Sequence, residues 1–180
     1  MIITLTGFMG CGKSSVGRKL SSLLSCSWVD MDKEIELREG KTISELFESI
    51  GEEGFREKEY HYLQEVLARE TRIISLGGGT PLTEKCRNLI KENTKCIWLK
   101  ASADTLAEHL KYSWLNRPIL ADISQEDKKK WKSEIVARII SMLEERDKFY
   151  EEIADFTIEV DGYNIDEVIN MIVTTLNDNL

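Results

Sequence analysis

Residues 7–14 read Gly7-Phe8-Met9-Gly10-Cys11-Gly12-Lys13-Ser14, which has the form G-x-x-x-x-G-K-[S/T]. No other feature constrains the fold as strongly. Glycines let the backbone turn so that successive N–H groups converge on phosphate oxygens. The loop must leave a strand and enter a helix N-terminus, whose dipole favours negative charge. The flanks supply both: Ile2–Thr6 is a short β-rich apolar run, and Lys13–Leu24 carries Val16, Leu20, Leu23 and Leu24 at helical spacing. Lys13 can reach β- and γ-phosphates, and Ser14 can set its hydroxyl on Mg²⁺. Gly10, Cys11, Gly12 and Ser15 complete the expected nucleotide loop. The glycines do not spell the G-x-G-x-x-G of dinucleotide binding, and no N-K-x-D base-reading motif accompanies them. At 180 residues, one domain's worth of chain, a small-metabolite kinase is favoured over a switch or a motor.

The rest of the chain repeats the rhythm. Strands are expected at Ser27–Val29, running to Asp30, and at Arg72–Leu76, Lys95–Leu99 and Phe156–Val160. Helices are expected over Glu53–Arg69, Glu84–Lys91, Ala103–Lys111, Lys132–Tyr150 and Ile165–Leu176, with Thr42 and Glu45 forming a capping box for a short helix. This alternation predicts an α/β domain with a parallel sheet covered on both faces. The pattern alone does not give the strand order. Two segments break the rhythm: about forty residues separate the second and third strands, and a polar stretch runs from Tyr112 to Lys130. Inserts of this size in a compact domain are usually functional.

Ligands of parallel α/β sheets bind at the carboxyl ends of the strands. The second strand ends in Asp30-Met31-Asp32, where one carboxylate can hold a metal-bound water and the other a hydroxylated acceptor. The bland alternative is a helix N-cap. Arg56 and Glu59 lie three apart on one helix face, so Glu59 can steady a guanidinium that captures a carboxylate. Gly77-Gly78-Gly79 follows the third strand and offers bare backbone N–H groups. Ser75 stands where many phosphate-loop enzymes place an acidic metal residue, which leaves Asp30 to fill that role.

Taken together, the loop, Asp30-x-Asp32, Gly51-Glu52-x-x-Phe55-Arg56-x-x-Glu59, the triple glycine, Arg117-Pro118-x-Leu120, and Arg146-x-x-x-Tyr150 with Ala154-Asp155 resemble the shikimate kinase family, over residues 7–155. The resemblance implies the nucleoside monophosphate kinase-like fold, with a five-stranded parallel sheet ordered 2-3-1-4-5. Within the single domain it implies a substrate-binding insert over 33–62 and a lid over 112–124. It also implies transfer of phosphate from ATP to shikimate, giving shikimate 3-phosphate on the route to chorismate and the aromatic amino acids. Asp32 would bind ring hydroxyls and is the candidate to take the proton. Arg56 and Arg146 would grip the carboxylate, with Gly78 and Gly79 donating backbone N–H groups. Lys13 and Arg117 would act on the ATP phosphates, Ser14 would ligate Mg²⁺ directly, and Asp30 would do so through water.

The chain departs from the family pattern at Trp28, Met31, Ser15 and Ile119. It also lacks the arginine that often precedes the lid; either His109 or Lys111 substitutes or adenine is held differently, with the loop Asp161–Asn164 a candidate. Arg138 is a rival to Arg146 without the following tyrosine. The four cysteines include no C-x-x-C pair, and no apolar stretch approaches membrane length, which predicts free thiols in a cytoplasmic protein. A monomer is expected. The net charge of −8 argues against a nucleic-acid or membrane surface. Ser133–Leu180, with 12 acidic and three basic side chains, accounts for that charge, so a pocket of single placed cations is unaffected. Two competing readings remain: a kinase for another small acceptor such as gluconate or a nucleoside monophosphate, and a non-catalytic nucleotide-binding module.

Overall fold

The computed structural model describes residues 1–111 and 128–178, with side chains left undescribed at 128–131. Five strands, β1 (Ile3–Thr6), β2 (Trp28–Asp30), β3 (Ile73–Ser75), β4 (Lys95–Lys100) and β5 (Phe156–Glu159), form one sheet in the order β2-β3-β1-β4-β5. Every pairing is parallel, with Ile3 opposite both Ile73 and Lys95. This is the order the family resemblance implies.

Period-two alternation divides the sheet between two cores. Ile3, Leu5, Ile73, Ile97 and Leu99 face one side. They pack against α1 (Lys13–Leu23), α5 (Ala103–Leu110), α7 (Ile165–Asp178) and the first half of α6 (Lys128–Ile153). Ile74, Leu76 and Cys96 face the other side. They pack against α3 (Ile43–Leu67), α4 (Glu84–Asn93) and the end of α6 at Ile153. β1 is buried along its whole length; Thr4 shares a hydrogen bond of 2.9 Å with Thr94, whereas the Thr6 hydroxyl has no partner among the described residues. Burial pushes the Cys96 thiol up to about 12 and the Cys86 thiol up to about 11, which makes them inert packing groups.

The periodic helices fall within a few residues of expectation. One helix the sequence pattern does not reveal is α2 (Met31–Glu39). Only Met31 and Ile35 are buried on it, so it has almost no apolar stripe to read. Thr42 and Glu45 form the full capping box at the start of α3. Gly51, at φ 70° and ψ 177°, interrupts that helix, so the expected short helix and long helix are two segments meeting at a kink. Residues 33–62 pack around a small core of their own, Ile35, Leu46 and Phe55, with Phe47 against Phe55 at 4.6 Å between ring centroids.

Candidate active site

The carboxyl ends of β1, β2, β3 and β5 open onto a cleft of about 550 Å³. The loop after β1 forms its floor. Gly7 has φ 135°, and a Cβ there would meet the Leu99 carbonyl oxygen at 2.5 Å, so only glycine fits this crossing of β4. Gly12 is the left-handed N-cap of α1, whose first turn holds no acidic residue to compete with a bound anion. The Lys13 ammonium, only 8% exposed, donates to the carbonyls of Gly7 at 2.8 Å and Phe8 at 2.9 Å. It is thereby held inside the loop. Ser14 and Ser15 stand exposed on the first turn and line the cleft with Gly10, Cys11 and Gly12.

Ser75, in place of an acidic residue, has a structural task. Its hydroxyl donates to the Lys13 carbonyl at 3.0 Å and accepts from the Trp28 indole N–H at 3.0 Å. A Cβ at Gly17 would meet both side chains at 2.5 Å, so α1 lies directly on this pair. The Trp28 departure is therefore accommodated by a hydrogen bond, and Met31 by complete burial.

Asp30 and Asp32 both line the cleft, as their spacing predicts. The N-cap reading also holds for Asp30, whose Oδ1 accepts from the Lys33 amide at 3.3 Å. It lines the same cleft as Ser14, a donor set that suits an ion held mainly by phosphate and water, with few protein ligands. Among the described residues no cluster of three or more His, Cys, Asp or Glu side chains could hold a metal alone.

Arg56 and Glu59 pair as their spacing predicts, Nη1 to Oε2 at 2.8 Å. Glu59 is 1% exposed and also accepts from the Thr80 hydroxyl at 2.6 Å. The guanidinium lies near the rings of Phe47 and Phe55, and its Nε is buried without a partner among the described residues. It packs so closely on Gly79 that a Cβ there would lie 2.4 Å from Nη2. Gly77 has no room for a side chain either, since a Cβ would meet Asp32, Glu59 and Thr80 oxygens at 2.7–3.0 Å. The triple glycine is thus the seam that lets Asp32, Glu59 and Arg56 converge.

Arg146 is 8% exposed and stacks over Phe8 at 5.6 Å, next to the phosphate loop, whereas Arg138 is exposed. Arg56, Gly79 and Arg146 lie off the lining of the main cleft; Arg56 packs on Gly79, two residues from Gly77, against which Asp32 lies, and Arg146 lies over Phe8 of the loop. Arg117 and the 112–124 segment fall outside the described residues. The cleft is also lined by Val160, Tyr163 and Ile165 from around the Asp161–Asn164 loop, with Leu110 and His109. His109 donates from Nδ1 to the Gly10 carbonyl at 2.8 Å, a contact with the phosphate loop that its sequence setting does not reveal. Lys111 pairs with Glu108. Sequence reasoning also missed Thr80, because a threonine beside three glycines carries no periodic signal.

The family model described as shikimate kinase matches residues 9–177. The chain belongs to the shikimate kinase family. A shikimate kinase from Rhodopirellula baltica is 38% identical over 168 residues, covering 92% of this chain and 84% of that protein. One from Dictyoglomus turgidum is 34% identical over 179 residues, covering 98% and 97%. The solved structure of the shikimate kinase from Acinetobacter baumannii in complex with shikimate superposes with a TM-score of 0.87 at 30% identity, covering 98% of this chain and 93% of that one. The architecture of this kinase is thus the family's own, and no helix among its described residues is long and apolar enough to cross a membrane.

Proposed function

We propose that the kinase transfers the γ-phosphoryl group of ATP to the 3-hydroxyl of shikimate, giving shikimate 3-phosphate and ADP in the supply of chorismate for aromatic amino acids. The observation that carries the acceptor assignment is Arg56, fixed by buried Glu59 against Gly79 and joined through the glycine seam to Asp32 on the phosphate-loop cleft. A guanidinium presented this way suits a carboxylate, and an aspartate beside the loop suits ring hydroxyls.

In this reading ATP lays its phosphates on Gly10–Ser15, with the Lys13 ammonium exchanging loop carbonyls for phosphate oxygens. Arg56 and Arg146 grip the acceptor carboxylate, and the amides of Gly78 and Gly79 add to that grip. Asp32 accepts hydrogen bonds from ring hydroxyls and takes the proton of the 3-hydroxyl as its oxygen attacks phosphorus in line. Catalysis here consists of positioning and charge stabilisation more than covalent help. Mg²⁺ would be held by Ser14 directly and by Asp30 through water, and it neutralises charge on the phosphates when bound. Residues 33–62 serve as the acceptor-binding insert, and 112–124, with Arg117, as the lid that closes on ATP and excludes water. Adenine lies toward Tyr163 and Ile165. Reduced, mostly buried cysteines suit the cytoplasm, and a monomer carries the whole described site.

A coupled ADP-release assay with shikimate, quinate, gluconate and nucleoside monophosphates tests the reading. Turnover is expected with Mg²⁺, ATP and shikimate. Turnover with another acceptor and none with shikimate would overturn it.

A further inference from the structure

Helix α6 carries two side chains one turn apart toward the site, Arg146 over Phe8 of the phosphate loop and Tyr150 at the glycine seam. The Tyr150 ring is 1% exposed and packs on Trp98, with centroids 5.9 Å apart, and its hydroxyl donates to the Gly78 carbonyl at 2.6 Å. Burial raises its pKa well above the ordinary value of 10.0, so it remains a neutral donor. The peptide joining Gly78 to Gly79 is trans, as no peptide bond among the described residues is cis, and a trans peptide points its N–H opposite to its C=O. Tying the Gly78 carbonyl to α6 therefore turns the Gly79 N–H away from α6. Neither glycine amide donates to a backbone carbonyl among the described residues. Glycine has no side chain to brace this plane, so the tyrosine hydroxyl supplies the constraint.

We infer that Tyr150 is a positioning residue for the acceptor carboxylate: by holding the Gly78 carbonyl it aims the Gly79 N–H at the group that Arg56 and Arg146 grip. The inference rests on the shikimate reading above. It explains why one helix carries both residues. Arg146 supplies charge to the carboxylate, and Tyr150, four residues on, orients a backbone donor for the same group.

Tyr150→Phe removes one oxygen and keeps the ring on Trp98. The expected result is a rise of about ten-fold in the shikimate KM, the equivalent of about 1.4 kcal/mol, with the ATP KM and the melting temperature little changed. Repeating the comparison with an analogue bearing a methyl group in place of the carboxylate should shrink the difference to about two-fold, because the aligned donor has lost its acceptor. Equal losses on the two acceptors, or a loss confined to ATP, would overturn the inference. Wild-type protein that does not turn over shikimate would overturn the parent reading as well. If wild type is active and the variant unchanged, only this inference falls. The wild-type protein offers a check that needs no variant. The Gly79 amide proton resonance should move downfield on shikimate binding and not on binding of the methyl analogue. A Gly79 resonance indifferent to shikimate would refute the assignment.

Discussion

Replacing Gly79 by alanine isolates the acceptor grip. Gly79 has φ −104° and ψ −4°, a right-handed conformation that alanine adopts without strain, so the effect is steric and not conformational. The new Cβ would lie 2.4 Å from Nη2, 2.7 Å from Nη1 and 2.8 Å from Cζ of Arg56. Ordinary contact requires the guanidinium to retreat by about 1 Å, and a displacement of that size at a positioned group costs up to ~10²-fold in rate. Arg56 has little freedom to absorb the shift. Glu59 holds it at 2.8 Å, and the Phe47 and Phe55 rings lie 5.7 and 5.4 Å from its Cζ. Losing a charge-assisted hydrogen bond to the carboxylate costs roughly 1.5–3 kcal/mol. That corresponds to a loss of shikimate affinity of roughly ten- to hundred-fold. The ion pair is stretched and not deleted, so the stability cost stays below the ~3–5 kcal/mol of removing one partner of a buried pair. Calorimetric titration of the variant with shikimate and, separately, with an ATP analogue checks this. The shikimate Kd should rise ten-fold or more while nucleotide binding stays within about two-fold. Gly78→Ala is the contrast, because its Cβ would approach Met9 of the phosphate loop, at 3.3 Å, and not Arg56. An unchanged shikimate Kd in Gly79→Ala, or equal loss of both ligands, would refute the placement of Arg56 on the acceptor carboxylate.

Two further outcomes follow from the framework around the site. Ser75→Ala removes an acceptor from the Trp28 indole and a donor to the Lys13 carbonyl, and should lower unfolding free energy by roughly 1–3 kcal/mol in urea titrations with an unchanged m-value; unaltered stability would mean that the Trp28–Ser75 pair does not brace α1. Asp147 has a buried Oδ1 with no partner among the described residues, and burial raises its pKa above the ordinary 3.8. An acid with a raised folded-state pKa opposes folding once pH exceeds that value and is neutral in effect below its unfolded value. Asp147→Asn should therefore raise the melting temperature at pH 7 and lose that advantage as pH falls below about 4. A larger gain in acid than at neutrality would reverse the sign and refute the assignment.

What the sequence determined by itself is whatever short-range chemistry specifies. The phosphate loop is legible because each of its residues answers a local demand, turn geometry at the glycines and phosphate reach at Lys13 and Ser14. The strands and the long helices are legible because a sheet covered on both faces and helices with one apolar stripe leave period-two and 3.6-residue patterns. The pairing of Arg56 with Glu59 follows from a three-residue spacing on one helix. Helix α2 left no such trace, since a nine-residue helix with only Met31 and Ile35 buried has no stripe to repeat. The order of the strands depends on which edges meet across crossovers; family resemblance implies it, and periodicity does not.

Only tertiary structure decided what the glycine seam is for. Nothing in Gly77-Gly78-Gly79 announces that one glycine clears space for Asp32 and Glu59, that another lies against Arg56, or that the one between them offers its carbonyl to Tyr150, 72 residues away. Likewise Ser75 and Trp28, 47 residues apart, become one hydrogen-bonded brace only where β2 and β3 pair in parallel. The physical reason is common to both. Local motifs fix what each residue can do, whereas close approach of backbones and burial of polar groups are properties of the assembled sheet, and they select which of those capacities are used.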